Sequence, residues 1–317
     1  LDITSPVLDI GKVQLEHLSN EQAERIKEVF QEYGDLFSGK LGCTHLTKHK
    51  IELTTGAQPI LIRPYRLSPA ERQGEAKCIR EMLEKGNIKP TSTPWGFPNV
   101  IIRKKDGAYR ITTNFKKLNG ITVEDAYPLP RIDDALGMLG GARFFTSLDA
   151  KMGFFQVPLE NASRLVAVMI SIKGSFAYMR MPLGLLNSPS TFQRLMDHLL
   201  SGIKWKFCLV YMDDIIVFSK TFEGHIEHLR EVFRRLREGG LTLKITKCSF
   251  AKSTLLYLGH IISADGIKPD PDKIKAVLTI QAPKNVAEVR SFIGMLSYFR
   301  MFIQDFASIA KIGRAHV

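Results

Sequence analysis

The sequence has only two tryptophans and four cysteines, and it contains no long apolar run. No stretch approaches the roughly 18 consecutive apolar residues that a membrane-spanning helix needs. The first residues lack the basic cluster and apolar segment of a secretory signal. No membrane partner is therefore expected. Cys43, Cys78, Cys208 and Cys248 show no framework spacing, which argues against a disulfide scaffold and suits a reducing compartment. The chain opens on Leu1 rather than Met, so it reads as a piece of something longer.

What is there is an ordinary globular mixture, 44% hydrophobic and 24% charged, in 317 residues. That length suffices for two or three subdomains around more than one core. The net charge of +12 is unevenly spread. Residues 1–50 carry 6 basic and 8 acidic side chains, and residues 51–120 carry 13 and 6. Residues 121–200 balance at 7 and 7, while residues 201–317 carry 18 and 11. Two basic flanks around a neutral middle fit a nucleic-acid cleft with an acidic floor. Lysines on solvated helix faces would give the same totals.

Ser19-Asn20-Glu21-Gln22 reads as a capping box before a helix with Ile26, Val29, Phe30 and Tyr33 on one side. A second box, Ser68-Pro69-Ala70-Glu71, opens a helix that Gly86 ends. Strand patterns follow. Residues 100–103 and 109–113 flank a basic hairpin tip, residues 144–148 form an apolar run ending on Asp149, and residues 167–172 pair with 176–181. Ser188-Pro189 opens a helix, and two buried strands, 208–212 and 215–218, are separated only by Asp213-Asp214. An amphipathic helix at 225–238, further strands at 255–258 and 260–263, and helices near Asp270 and Asn285 complete the pattern. Mixed strands and helices followed by helices alone predict an α+β fold with a helical appendage.

Tyr211-Met212-Asp213-Asp214 holds two carboxylates in a tight turn between apolar strands. A turn favours Asp, so a plain surface hairpin is one reading. Asp149 supports another, because it too ends an apolar strand. If those strands are neighbours, three carboxylates meet at one sheet edge and repel one another unless divalent metal fills the gap. Magnesium prefers carboxylate and phosphate oxygens. Two such ions about 3.5–4 Å apart could activate a hydroxyl and steady a leaving pyrophosphate in an in-line displacement.

These residues belong to an ordered series. It comprises Arg63-Pro64-Tyr65-Arg66, Pro94-Trp95, Arg103-Lys104-Lys105-Asp106-Gly107, Lys117-Leu118-Asn119, Tyr127-Pro128-Leu129-Pro130-Arg131, Ser147-Leu148-Asp149, Met181-Pro182-Leu183-Gly184, Tyr211-Met212-Asp213-Asp214, Val217-Phe218-Ser219-Lys220 and Tyr257-Leu258-Gly259-His260. In this series the chain resembles the reverse transcriptases of gypsy-type long-terminal-repeat retrotransposons, and more distantly those of retroviruses. The resemblance implies a right-hand polymerase fold of fingers, palm and the start of a helical thumb. It divides the chain into an N-terminal helix and linker (1–45), fingers and palm (46–262) and the start of the thumb (263–311). It implies an RNA-directed DNA polymerase that uses RNA and DNA template–primers, deoxynucleoside triphosphates and two Mg2+ ions, with Mn2+ as a possible substitute. Protease, ribonuclease H and integrase would flank it in a polyprotein, acting in the cytoplasm, within virus-like particles, or in the nucleus.

By the same resemblance, Asp149, Asp213 and Asp214 would be the catalytic, metal-binding triad. Lys104 and Arg110 would grip the incoming triphosphate, and Phe154 would close against the sugar 2′ position. Leu183, Gly184, Tyr211 and Met212 would line the nucleotide site. Tyr257, Leu258, Gly259 and His260 would position the primer end, with Lys247 in a downstream palm motif. The plainer alternatives are a core aromatic for Phe154 and solvated strand-tip cations for Lys104 and Arg110. Departures exist: Asn114-Phe115-Lys116 stands where the family has Asp-Tyr-Arg, Leu183 where it has Phe, and Ala150-Lys151-Met152-Gly153-Phe154 where it has Leu-Lys-Ser-Gly-Tyr.

The departures keep open a catalytically silent, nucleic-acid-binding relic. An RNA-dependent RNA polymerase would need room where Phe154 stands. Cys43, His45 and His49 lack a nearby fourth ligand for zinc. His225 and His228 read as part of a solvated helix face. Residues 312–317 (Ile312-Gly313-Arg314-Ala315-His316-Val317) read as a foreign tail.

Overall fold

The computed structural model describes residues 13–103 and 107–315. It opens with α1 (Asn20–Glu32), followed by α2 (Pro69–Glu84) and the strands β1 (Ile88–Pro90), β2 (Phe97–Arg103) and β3 (Tyr109–Thr113). Next come α3 (Lys116–Asn119), α4 (Ile132–Gly137), β4 (Phe144–Asp149), α5 (Asn161–Arg164), β5 (Val168–Ser171), β6 (Gly174–Tyr178) and α6 (Ser188–Leu199). The region of the Asp213-Asp214 turn follows as β7 (Cys208–Tyr211), β8 (Asp214–Ser219) and α7 (Phe222–Glu238). The strands β9 (Ser249–Lys252), β10 (Thr254–Tyr257), β11 (His260–Ser263) and β12 (Gly266–Pro269) lead into α8 (Pro271–Leu278), α9 (Val286–Leu296) and α10 (Phe306–Ala315). The α+β class holds, with helices alone after β12. The backbone stays helical to Ala315, across the start of the tail read as foreign.

Both capping boxes form. Ser19 Oγ accepts from the Gln22 amide while Gln22 Oε1 accepts from the Ser19 amide, each at 3.2 Å. Ser68 and Glu71 repeat the exchange at 3.3 and 2.8 Å. Each box satisfies amides that the first helical turn leaves without partners.

A four-stranded sheet is ordered β7-β8-β4-β9, with every pairing antiparallel. A five-stranded sheet, β1-β6-β5-β2-β3, carries the β2/β3 hairpin, and its β2/β5 pair is parallel. A three-stranded meander, β10-β11-β12, precedes the helices α8 to α10. The four-stranded sheet is covered on both faces, and β8 shows it by alternation. Ile215 and Val217 join the main core, while Ile216 and Phe218 join a second core with Leu255, Tyr257 and Ile262. Strands buried on both faces read as unbroken apolar runs, which is why the sequence shows no alternation there. Helix α1 closes the main core from behind, with Phe30 edge-on to Phe250 at 4.6 Å. Arg237 of α7 pairs with Asp35 at 2.5 Å beneath it.

One sequence expectation fails here, the solvated face of His225 and His228. His225 is fully buried on the apolar side of α7, in step with Phe222, Ile226 and Leu229. It hydrogen-bonds Thr146 Oγ1 at 2.7 Å and Ser219 Oγ at 2.9 Å, so hydroxyls on β4 and β8 satisfy its ring. His228 stacks on Phe207 at 3.8 Å and also reaches Ser219. The Glu- and Arg-rich context suggested solvent, but helical spacing places both rings inward. His49 is buried against Thr191 Oγ1 at 2.8 Å, while Cys43 is exposed.

Burial holds His225 down at about 3, so the folded protein keeps it neutral. An unfolded histidine takes its proton near pH 6.5, so the unfolded state binds more protons as pH falls. Native stability therefore drops below pH 6.5, by at most about 1.4 kcal/mol per pH unit from this group. His225→Leu should lower stability at pH 8 by about 1–3 kcal/mol, because it strands part of the Ser219 and Thr146 hydroxyl pairing. The same variant should flatten the acid limb between pH 6.5 and 4. Urea titrations of both proteins across that range check this, and parallel acid limbs would contradict it.

Candidate active site

Strands β4 and β8 are neighbours, and their ladder ends with Asp149 directly opposite Asp214. Residues opposed in an antiparallel ladder have Cβ atoms about 4.5–5.5 Å apart, and like charges there are destabilising. Asp213 sits one step away in the two-residue loop that joins Tyr211 to Asp214. The three carboxylates thus gather at one sheet edge. Burial first, and Asp214 and Asp149 next, push the Asp213 carboxyl up to about 6. The Asp214 carboxyl is raised by burial and by Asp149.

The loop is held in an uncommon shape. Met212 has φ of +53°, a left-handed conformation costing a non-glycine residue roughly 1–2 kcal/mol. Its amide donates to Gln193 Oε1 at 2.8 Å, and Gln193 lies wholly buried on α6. The Gln193 amide nitrogen donates to Asp197 Oδ1 at 2.8 Å and to the Val210 carbonyl at 3.3 Å. Asp197 is in turn held by Lys204 at 2.5 Å and by the Tyr127 hydroxyl at 2.9 Å. Gln193 escaped the sequence reading. A polar residue beside Phe192, Leu195 and Met196 on an otherwise apolar helix face was the available signal.

Three buried side-chain polar atoms lack a partner among the described residues: Asp213 Oδ1, Tyr257 Oη and His260 Nε2. All three belong to residues singled out from the sequence. Orphaned buried atoms are rare and call for a cause. As the side chains stand, Lys247 Nζ reaches Asp149 Oδ2 at 3.0 Å. No three acidic, histidine or cysteine side chains among the described residues converge tightly enough to hold an ion in these positions. The donor set nevertheless fits a hard divalent cation: carboxylate oxygens only, mutually repelling, one of them buried and unpaired.

Gly153 packs against this edge. A Cβ there would lie 3.0 Å from Asp213 Oδ1 and 3.0 Å from the Phe192 ring, so a larger residue would press on the carboxylate. Phe154 is 8% exposed and meets Phe192 edge-on at 5.6 Å. Phe155 meets Tyr178 at 6.1 Å. Leu183 is half-buried, and the Gly184 carbonyl accepts from Asn119 Nδ2 at 2.9 Å. Arg110 is exposed on β3, opposite Ile102. Lys104 lies outside the described residues.

Tyr257 and His260 pair across a two-residue turn, where Leu258 and Gly259 have φ of +47° and +75°. His260 stacks on Tyr298 with ring centroids 5.1 Å apart. Two of the departures have local explanations. Asn114 donates to the Tyr65 hydroxyl at 2.9 Å and accepts from the Lys116 amide at 3.1 Å. Phe115 is buried between Phe97 and Tyr178, where a tyrosine hydroxyl would need a partner of its own.

Comparisons with known proteins agree with this geometry. The chain is 36% identical to the Retrovirus-related Pol polyprotein from transposon 297 of Drosophila melanogaster, over 96% of this chain and 29% of that polyprotein. It is 37% identical to the polyprotein from transposon opus of the same fly, over 93% of this chain and 30% of the relative. The chain thus spans about three tenths of the curated relatives it matches. Among solved structures it resembles the foamy viral protease–reverse transcriptase in complex with double-stranded DNA. That TM-score is 0.84 at 22% identity, covering 96% of this chain and 54% of the other. The same viral protein in complex with an RNA/DNA hybrid matches at 0.80, again at 22% identity and over 41% of its length. The fold is therefore the right-hand polymerase fold. Residues 102–262 match the family described as Reverse transcriptase (RNA-dependent DNA polymerase), and the chain belongs to that family.

Proposed function

We propose that this chain is the polymerase core of a retrotransposon Pol polyprotein. It copies RNA and DNA templates into DNA by template-directed transfer from deoxynucleoside triphosphates. The observation that carries this reading is the opposition of Asp149 and Asp214 at the ladder end, with the buried, unpaired Asp213 Oδ1 beside them.

Asp149, Asp213 and Asp214 would hold two Mg2+ ions, with Mn2+ able to replace them. Bound there, the ions supply Lewis-acid activation of the primer 3′-hydroxyl and charge stabilisation at the leaving pyrophosphate. The protein's own part is to keep three anionic side chains together against their repulsion, which the ladder and the Gln193-held loop do. Lys247 would release Asp149 as metal arrives and keep a positive charge beside the triphosphate. Lys104 and Arg110 would stabilise charge building on the transferred phosphoryl group. Leu183, Gly184, Tyr211 and Met212 would line the nucleotide site. The turn of Tyr257, Leu258, Gly259 and His260 would lie along the primer end.

Primer extension on poly(rA)–oligo(dT) with magnesium tests the whole reading, and three variants test its parts. Asp213→Asn should abolish extension with template–primer affinity almost unchanged, because it removes metal-binding charge rather than the basic cleft. Extension at even about a tenth of wild type would overturn the metal assignment.

Gln193→Leu removes the acceptor of the Met212 amide, an interaction of about 1–3 kcal/mol when buried. It should lower kcat about tenfold or more while KM for the nucleotide moves little. An unchanged kcat would mean that the loop holds its shape without Gln193.

Phe154 bears on sugar choice, because in-line transfer does not itself distinguish ribose from deoxyribose. A rigid apolar ring beside the 2′ carbon would reject an added hydroxyl by collision and offer it no hydrogen bond. Phe154→Val should raise ribonucleotide use, with some loss of deoxynucleotide efficiency through poorer packing against Phe192. Single-nucleotide incorporation of both sugars by both proteins gives the ratio. A constant ratio would make Phe154 a core residue only.

A further inference from the structure

Tyr127 opens one of the ordered sequence motifs, yet its hydroxyl goes to Asp197 rather than to any of the three carboxylates at the ladder end. It donates to Asp197 Oδ2 at 2.9 Å, while Lys204 Nζ donates to Asp197 Oδ1 at 2.5 Å. The segment ahead of Tyr127 is bound along one side of α6. Asn187 at the N-cap accepts from the Asp125 amide at 3.0 Å and donates to the Val123 carbonyl at 2.8 Å. Ser190 Oγ donates to the Asp125 carbonyl at 3.2 Å. Arg194 Nη2 donates to both Asp125 carboxylate oxygens at 2.7 Å, and its guanidinium lies 4.7 Å from the centroid of the Tyr127 ring. Positions 187, 190, 194 and 197 recur at helical spacing, so the stripe that binds the segment also presents Asp197 to its phenol.

Asp197 in turn meets Gln193. The two ends of a glutamine amide have nearly the same shape, so their partners decide which end faces where. The Met212 N–H can only donate, and it needs the amide oxygen. At the other end, Gln193 Nε2 donates to Asp197 Oδ1 at 2.8 Å and to the Val210 carbonyl at the longer distance of 3.3 Å. An ionised carboxylate only accepts. A flipped amide would therefore press its oxygen on two acceptors and its NH2 on the Met212 N–H. Gln193 is wholly buried, so water does not relieve either clash.

We infer that Asp197 is a positioning residue for nucleotide transfer, whose carboxylate, held by Tyr127 and Lys204, keeps the Gln193 oxygen turned to Met212 and so fixes the Asp213-Asp214 loop. The segment ahead of α4 thus shares in setting that loop. The inference rests on the polymerase reading for its effect on rate; its effect on the loop stands without it.

Asp197→Leu alone would strand the Lys204 ammonium, so the test pairs it with Lys204→Met. Exchange of the Met212 amide with deuterium is followed by NMR in protein carrying isotope-labelled methionine, its signal identified by its absence from Met212→Leu. The paired variant should speed that exchange about tenfold or more. It should lower kcat by a similar factor while KM for the nucleotide moves little. Adding Gln193→Leu should worsen neither, since both changes delete one interaction. Asp197→Asn can still turn an oxygen to Gln193 and should stay within about threefold of wild type in both readouts. Tyr127→Phe removes only a hydroxyl and should speed exchange about threefold. The assignment is overturned by unaltered exchange in the paired variant or in Tyr127→Phe. It is equally overturned by an Asp197→Asn loss as large as that of the paired variant, or by losses that multiply with Gln193→Leu. Exchange needs no catalysis, so a wild type that shows this dependence but never extends a primer would sink the polymerase reading alone.

Discussion

Asp149 and Asp214 face each other across the last rung of the β4/β8 ladder, and backbone hydrogen bonds fix that rung whether or not the side chains are charged. The repulsion cannot be relieved by moving the strands. Both faces of the sheet are packed, β8 feeding two cores at once. A one-residue slip would turn every one of its side chains to the wrong face. The charge problem is left at the sheet edge, where a raised proton affinity, the Lys247 ammonium or a divalent cation can answer it. The position of Lys247 on Asp149 is what such an edge looks like when the answer is a side chain.

The rest of the site keeps that edge in place. Gln193 holds the Met212 amide in a conformation methionine does not favour, and its own amide is tied to Asp197, which Lys204 and Tyr127 hold in turn. Gly153 yields the space that the Asp213 carboxylate occupies. Each contact is modest, but Gln193 at their centre is wholly buried with both its oxygen and its nitrogen hydrogen-bonded, the condition under which polar networks specify one arrangement.

Much of this was legible in the sequence. The capping boxes at Ser19 and Ser68, the apolar runs around Asp213-Asp214 and the glycine turn at Leu258-Gly259 are local signals, and local physics honours them. Partners far apart in the chain were not legible. Nothing near position 193 announces that its side chain serves a loop 19 residues on, and nothing near 127 points to Asp197. His225 was misread because its charged neighbours suggested water, while its spacing from Phe222 and Leu229 placed it inside. The short strands β1, β9 and β12 carry too few residues to show a period.

Helix α1 gives the N-terminal region a weight that its distance from the chemistry conceals. Ile26, Val29 and Phe30 are fully buried, and Phe37 lies edge-on to both Phe233 and Phe250. Phe250 belongs to β9, the strand that flanks β4 on the side away from β8. The segment therefore acts as the back wall of the palm rather than as a tether ahead of the fingers. For anyone cutting this polypeptide, a break just before Ser19 keeps α1 but removes Leu15, buried in the same core, and His17, whose Nε2 lies 3.1 Å from the Phe250 carbonyl. A break after Phe37 would strip the aromatic backing from the strand next to the one that ends in Asp149.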